Sequence, residues 1–331
     1  MAPERNNFNL SGPKHLKAVD WTNEDHRRSV AACLVQGVYV VEGDLRKKRK
    51  DSQALASPWW ESFHFQMLEL LEDDSDSSIF GAIYKFEFPA SHSNLSIDGC
   101  PCYVIAFRGT ILKRKSLERD IKLNLRIIRN ALHLDPRFKK AMQAVRSKAN
   151  LNSSNVWLAG HSLGSAIALL AGKTMAKEGI FLETFLFNLP YPSVPIEKIT
   201  HEKVMHVIRG AGNAFRAALV LAMKKKFGEL PKAWAPCLFV NPADFICSKY
   251  DEYFEHKKKM EKFGLGGIER LATQFSLRGL IIGNESEPMH RIPSAYLTVN
   301  LTGYPDFKQA HGINQWWSHD LHLKSKLYIS E

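Results

Sequence analysis

The chain has 331 residues, of which 45% are hydrophobic and 24% charged, an ordinary globular composition that suits one large α/β domain or two small ones. No apolar run approaches the roughly 20 residues that a membrane span needs, and the N-terminus lacks the apolar core of a signal peptide. The net charge is +11, but no zinc finger, RNA-recognition motif or basic zipper accompanies it, so we expect no nucleic-acid partner. We predict a soluble intracellular, cytoplasmic protein with a loose segment at 1–20 and a single domain at 21–331.

Much of the positive charge lies in four basic runs, at residues 46–50, 113–115, 224–226 and 257–259. Such runs either contact an anionic membrane surface or form solvated loops and helix ends, and the sequence leaves both interpretations open. The sequence does not indicate an oligomeric state.

Cysteine usage argues against disulfides and metal binding. The chain contains an odd number of cysteines, and Cys100 and Cys102 are spaced too closely for a redox or zinc motif. We therefore expect thiols in a reducing compartment, with no metal site and no cofactor.

The first predicted helix begins at Thr22, with Asp25 placed as in a capping box, and continues through the apolar residues 30–35. A charged loop is predicted at 46–57. Pro58 then opens a second predicted amphipathic helix that runs through Leu71 and ends in an acidic stretch.

The rest of the chain alternates between predicted strands and helices. Asp135 and Pro136 form a good N-terminal cap for a helix that ends near Lys148. Residues 203–230 are amphipathic, which favours either a helix packed on the sheet or a segment covering an acyl site. The other predicted elements are strands at 79–88, 103–107, 185–188, 237–240 and 296–299, and a helix at 117–130. This order predicts an α/β fold with a mostly parallel central sheet, helices on both faces and helical insertions.

The motif with the clearest chemistry is Gly160-His161-Ser162-Leu163-Gly164, between an apolar strand and a helix that stops at Gly179. We interpret Ser162 as a nucleophile at a cramped strand-to-helix turn, where a side chain at Gly160 or Gly164 would collide with neighbouring backbone. The helix aims its first N–H groups at this serine. A glycine-rich turn with a surface serine is the alternative.

A serine nucleophile needs a histidine base and a carboxylate that orients it, here in the chain order Ser, acid, His. Asp244 follows a predicted strand and is our candidate acid, with a helix N-cap as the alternative role. Among the downstream histidines His290, His311, His319 and His322, we choose His311, because we place it beyond the last predicted strand. A surface or aromatic-packed histidine is the alternative.

Two backbone N–H groups are candidates for an oxyanion hole. Thr110 follows the buried-looking strand at 103–107 and is placed to donate through its N–H, with the hydroxyl as an additional candidate. Gly109 lets that backbone come close, and Leu163 supplies the second N–H. A helix N-cap is the alternative role for Thr110.

Four segments in chain order resemble the class-3 lipase family of α/β hydrolases: Phe107-Arg108-Gly109-Thr110, Gly160-His161-Ser162-Leu163-Gly164, Asn241-Pro242-Ala243-Asp244 and Ala310-His311. The Trp59-Trp60 and Gln315-Trp316-Trp317 surroundings are similar to a plant subgroup whose members are often named GDSL esterase/lipases, although this chain contains no Gly-Asp-Ser-Leu. The similarity covers most of the chain from about Asp20.

The resemblance implies hydrolysis of lipid carboxylic esters, acylglycerols or phospholipids, through an acyl-enzyme, without a metal or organic cofactor. It carries over Ser162, Asp244 and His311 as the triad, and Thr110 with Leu163 as the oxyanion hole. The basic segment at 112–115 departs from the compact tryptophan-bearing lid of secreted members. An acyltransferase on the same triad and a non-catalytic lipid-binding protein are the competing hypotheses.

Overall fold

The computed structural model describes Leu16 and residues 18–56, 58–87, 99–110, 135–150, 155–191, 234–262, 292–318 and 320–329. Its strands form one sheet whose spatial order follows chain order. The strands are β1 (Phe65–Glu72), β2 (Ile79–Phe86), β3 (Tyr103–Phe107), β4 (Val156–His161), β5 (Glu183–Phe187), β6 (Cys237–Val240), β7 (Ala295–Asn300) and β8 (Leu323–Tyr328). Strands β3 to β7 pair in parallel, whereas the pairings β1–β2, β2–β3 and β7–β8 are antiparallel. The predicted mostly parallel α/β sheet is confirmed.

Helices cover both faces of the sheet, as predicted. They are α1 (Glu24–Lys47), α2 (Pro136–Ala149), α3 (Leu163–Lys177), α4 (Lys249–Lys262) and the short α5 (Phe307–His311), with 3-10 turns at Asp51–Gln53, Trp59–Phe63 and Ile313–Trp317. Alternate residues of β4 enter two cores: Leu158 packs with α2, α3 and α4, whereas Trp157 and Ala159 pack with α1. A strand covered on both faces is therefore a continuous apolar run.

Helix α2 starts at the predicted cap, whereas α1 starts one residue later than predicted and is capped by Asn23 instead of the predicted capping box of Thr22 and Asp25. Asn23, one residue after the predicted Thr22, caps α1 and accepts from the N–H groups of Asp25 and His26. The Asp135 carboxylate caps α2 by accepting from the Arg137 N–H at 2.8 Å. Helix α1 runs further into the basic stretch than predicted, because its last-turn Arg46 and Lys47 suit the negative helix end.

The second predicted helix, from Pro58 to Leu71, is wrong. A 3-10 turn ends at His64, which has a left-handed φ of 61°, and strand β1 follows. The pairing with β2 shifts between Met67 and Glu69, so Leu68 is an extra residue and lies exposed. This bulge spaces the apolar residues of an edge strand in a way that imitates a helical period.

The sheet also extends beyond the strand predicted as the last. Strand β8 forms where we expected a polar tail, and His311 therefore lies between β7 and β8. The lysines of β8, Lys324 and Lys326, are typical of an edge strand, whose unpaired edge meets water.

The predicted helix at 117–130 and the amphipathic segment at 203–230 lie outside the described residues. Within the described ranges, no helix is long and apolar enough to cross a membrane.

Candidate active site

Ser162 occupies a tight turn between β4 and α3. Its backbone has a φ of 53° and a ψ of −123°, and its N–H donates to the Phe187 carbonyl of β5 at 3.0 Å. A Cβ at Gly160 would lie 2.3 Å from the Gly164 carbonyl oxygen, and one at Gly164 would lie 2.3 Å from the Phe107 carbonyl oxygen. The predicted steric requirement for both glycines is confirmed, because the Gly164 oxygen is held in α3 and the Phe107 oxygen in β3.

The candidate acid and base meet directly. Nδ1 of His311 lies 2.8 Å from Oδ2 of Asp244, although the two residues are 67 positions apart. The Asp244 side chain is fully buried, whereas 12% of the His311 side chain is exposed. A carboxylate held behind an accessible imidazole is the arrangement that orients a histidine base.

The alternative roles of Asp244 as a helix N-cap and of His311 as a surface or aromatic-packed histidine agree with the structure only in part. Asp244 Oδ1 accepts from the Ile246 N–H at 3.0 Å, which is a local turn contact, while its other oxygen faces His311. The His311 ring stacks on Phe307 with a centroid distance of 5.3 Å, so it is packed against an aromatic ring as well as bonded to the carboxylate. His322 lies just before β8, and His290 and His319 lie outside the described residues.

His161, directly before Ser162, connects the serine turn to the base. Its Nε2 lies 2.7 Å from the His311 carbonyl oxygen, and its Nδ1 lies 2.8 Å from the Tyr39 hydroxyl. Because a carbonyl only accepts, Nε2 carries the proton and Nδ1 accepts from Tyr39. Burial, reinforced by the nearby His311, lowers the pKa of His161 to about 3, so this ring is neutral.

The same hydroxyl reaches the end of β3. The Gly109 N–H donates to the Tyr39 hydroxyl at 2.6 Å, and a Cβ at Gly109 would lie 2.8 Å from Cβ of Ser162. The predicted close approach at Gly109 is therefore confirmed. The N–H groups of Gly109 and Ser162 are both already engaged, so the next amides along each segment, those of Thr110 and Leu163, remain the candidates for an oxyanion hole.

Arg108 orients the peptide that carries the Thr110 N–H. Its buried guanidinium donates to the carbonyl oxygens of Ile79 and Gly109 and pairs with the fully buried Glu42 at 3.2 Å. In a trans peptide the carbonyl and the following N–H point in opposite directions. Holding the Gly109 carbonyl toward Arg108 therefore turns the Thr110 N–H away from it, and Thr110 itself is exposed.

Three residues beside the candidate triad had no role in the sequence prediction: Tyr39, Arg108 and Asn188. Tyr39 is 122 positions from His161, and Asn188 is 56 positions from Asp244. Arg108 could have been noticed as a charge between an apolar strand and a glycine, because such a residue needs a buried partner. Tyr39 and Asn188 carry no comparable local signal.

Three residues of the described basic runs have partners within the protein, whereas Lys47, Lys48, Lys50 and Lys258 are exposed. Arg46 pairs with Glu42, Arg49 pairs with Asp44, and the Lys257 ammonium donates to the Pro293 carbonyl. The runs at 113–115 and 224–226 lie outside the described residues. All five cysteines are described, and none is in a disulfide.

A mostly parallel sheet with a serine at a strand-to-helix turn defines the α/β-hydrolase class. The family model described as Lipase (class 3) matches residues 104–194, which include the serine turn and the end of β3. A protein of Arabidopsis thaliana named GDSL esterase/lipase is 48% identical over 347 residues, covering 99% of each chain. No solved structure matches. The chain belongs to the class-3 lipase family and is a carboxylic ester hydrolase.

Proposed function

We propose that this enzyme hydrolyses lipid carboxylic esters, acylglycerols or phospholipids, through an acyl-enzyme formed on Ser162. The observation that carries the proposal is the 2.8 Å hydrogen bond between His311 and Asp244. His161, the residue before Ser162, also bonds the backbone carbonyl of His311 and so holds the serine turn next to the base. Family membership supplies the reaction class, and this geometry supports the assignment of roles.

In the proposed acylation step, Ser162 Oγ attacks the acyl carbon while His311 Nε2 takes its proton. With Nδ1 held by Asp244, Nε2 is the ring nitrogen available for this transfer. Collapse of the tetrahedral intermediate breaks the bond to the alcohol oxygen, and the imidazolium protonates that oxygen as it leaves. Water then adds to the acyl carbon, giving its proton to His311, and Ser162 leaves with that proton.

The oxyanion of both intermediates would be bound by the N–H groups of Thr110 and Leu163. The Leu163 N–H belongs to the first turn of α3, where helix amides have no intrahelical partner. The Thr110 N–H is directed by the Arg108 contact with the Gly109 carbonyl. Donors held in place before the reaction stabilise developing charge without a reorganisation cost.

An apolar surface beside His311 supports a lipid-like substrate. Phe245, 43% exposed, stacks on Phe307 with a centroid distance of 4.5 Å, and Phe307 stacks on His311. An aromatic pair next to the base, with Phe245 exposed and Phe307 half-buried, favours an apolar group near the scissile bond.

The test is hydrolysis of p-nitrophenyl esters of increasing chain length, together with labelling by a fluorophosphonate. We expect both to vanish in Ser162→Ala and to persist in Ser147→Ala, a control on α2 whose hydroxyl bonds only a neighbouring carbonyl among its described contacts. Turnover that survives in Ser162→Ala would refute the nucleophile. A rise in the ester product when an alcohol acceptor is added would favour the acyltransferase, and an inert, folded wild-type protein would favour the binding protein.

A further inference from the structure

Asn188, directly after β5, is a fully buried residue with an uncommon backbone conformation. Its φ is 49°, and its N–H donates to the Phe239 carbonyl of β6 at 2.9 Å. Asparagine tolerates this left-handed region better than most residues other than glycine. The backbone therefore turns sharply here and points the side chain toward the carboxyl edge of the sheet.

The orientation of the Asn188 carboxamide follows from its partners. Its Nδ2 lies 2.7 Å from Oδ2 of Asp244 and 3.1 Å from the Ala310 carbonyl oxygen, and both of these atoms are acceptors. Its Oδ1 lies 2.7 Å from the Trp316 Nε1, which can only donate. A flipped amide would place an acceptor against two acceptors and a donor against the Trp316 donor, so only one orientation is possible.

These three partners belong to the two segments that carry the candidate acid and base. Asp244 is the acid, and Ala310 immediately precedes the base. Trp316 lies in the 3-10 turn that follows it. Gln315 supports the same segment, because its Nε2 donates to the Ala310 and Gly312 carbonyls while its Oε1 accepts from Asn241 and Asn300. Buried carboxamides thus link the ends of β5, β6 and β7 beneath the base.

We propose that Asn188 is a positioning residue for the Asp244–His311 pair, an inference that rests on the function proposed above. It donates to the same Oδ2 that accepts from His311, which orients that carboxylate oxygen. It also holds the carbonyl of Ala310, which sets the path of the chain at the base. Residue 188 therefore acts on both members of the pair without touching the substrate.

The first test is Asn188→Gly, which keeps a residue suited to positive φ and removes the side chain with its carboxamide. Since a hydrogen bond to a charged group is lost, we expect kcat to fall about 10- to 100-fold. KM should stay within about twofold of wild type, because no substrate contact is removed. The fluorophosphonate labelling rate should fall in parallel with kcat.

The second test is Asn188→Asp, which preserves shape but replaces the donor with a carboxylate beside Asp244. The titratable groups near that carboxylate are His311, the Cys247 thiol at 3.2 Å from Oδ2, and His161. Two carboxylates at hydrogen-bond distance cannot both ionise and instead share one proton, so the new carboxyl group can donate to Oδ2 of Asp244 only while it keeps that proton. We therefore expect the kcat of Asn188→Asp, relative to wild type, to fall as the pH rises, whereas a purely structural role would leave that ratio independent of pH.

The control is Thr184→Val, since Thr184 is a buried polar residue of the same strand, β5, whose hydroxyl donates to the Leu182 carbonyl and not to the Asp244–His311 pair. We expect a lower melting temperature with kcat within about threefold of wild type. Equal losses of kcat in Asn188→Gly and Thr184→Val, or a ratio of Asn188→Asp to wild-type kcat that does not change with pH, would overturn the inference. Failure of both Asn188 variants to fold beside a folded Thr184→Val would also overturn it, by assigning Asn188 to stability alone. If wild-type turnover and labelling do not depend on Ser162, the proposed function itself fails.

Discussion

Nε2 of His161 lies 2.7 Å from the backbone carbonyl oxygen of His311. One ring thus connects the strand that carries the candidate nucleophile to the segment that carries the candidate base. Its other nitrogen continues through Tyr39 to the Gly109 N–H, beside the candidate oxyanion donor. The relative placement of the three candidate catalytic parts therefore depends on a residue that takes no part in the proposed proton transfers.

Tyr39→Phe should lower both stability and turnover. The buried Gly109 N–H and His161 Nδ1 would each lose a partner, which costs about 1–3 kcal/mol in the free energy of unfolding. We expect kcat to fall together with the stability, because the end of β3 loses the hydrogen bond from the Gly109 N–H to the Tyr39 hydroxyl. The control is Tyr84→Phe, which removes a fully buried hydroxyl bonded to the Leu34 carbonyl, away from Ser162. Urea denaturation and ester hydrolysis measure both effects, and equal kcat values in the two variants would contradict the prediction.

His161 should make the enzyme less stable as the pH falls. The unfolded chain binds a proton near the ordinary pKa of 6.5, whereas burial lowers the folded pKa to about 3. Between these values the unfolded state holds more protons, so the free energy of unfolding falls by up to about 1.4 kcal/mol per pH unit of acidification. His161→Gln keeps an N–H donor but cannot titrate. Denaturation curves from pH 8 to pH 4 should therefore show a steeper loss in wild type, and parallel losses would refute this account.

Gly164→Ala should disrupt the serine turn. The new methyl group would lie 2.3 Å from the Phe107 carbonyl oxygen, a backbone atom of β3 that the sheet holds in place. We expect a loss of about 3 kcal/mol or more in the free energy of unfolding, and loss of fluorophosphonate labelling. Gly303→Ala is the matched control, because nothing lies within 4 Å of its added Cβ. Comparable melting temperatures for the two variants would show that the turn relaxes more easily than this geometry allows.

Glu42→Gln should weaken the end of β3. Glu42 is fully buried and accepts from the Ile79 N–H at 2.8 Å while it neutralises Arg108. Leaving that guanidinium uncompensated costs about 3–5 kcal/mol. Arg46→Ala removes the exposed partner of the same carboxylate and should cost less than about 1 kcal/mol. Chemical denaturation distinguishes the two variants, and equal losses would argue against a special role for Arg108.

The features predicted correctly from sequence are those with local causes. The glycines around Ser162 are required because a side chain there would collide with atoms of the same turn and the adjacent strand. The Asp135 cap bonds an amide two residues away. Strand β1 was misinterpreted because one extra residue, Leu68, changed its apparent period. Strand β8 does not stand out in the sequence because Lys324 and Lys326 interrupt its apolar pattern, and the partner of Lys326, Glu255 of α4, is distant in the chain.

The positioning residues illustrate why the rest of the site could not be predicted. Tyr39 and Asn188 find their partners only after distant strands have been placed side by side. Neither residue type, nor its spacing from neighbours, indicates which of many hydrogen-bond partners it will meet. Packing of the whole sheet determines those contacts, and the packing was not available from local patterns.

The agreement between strand order and chain order has a consequence for synthesis. A ribosome releases β3, β4, β5, β6 and β7 in the order in which they pair, so each new strand can add to an edge already formed. The His311 segment emerges only after all of these strands, and Arg28 of α1, made much earlier, can donate to the Trp316 carbonyl only once that segment has been made. We expect nascent chains to stay hydrolytically silent until the His311 segment has left the exit tunnel, so that a product truncated before it does not hydrolyse esters.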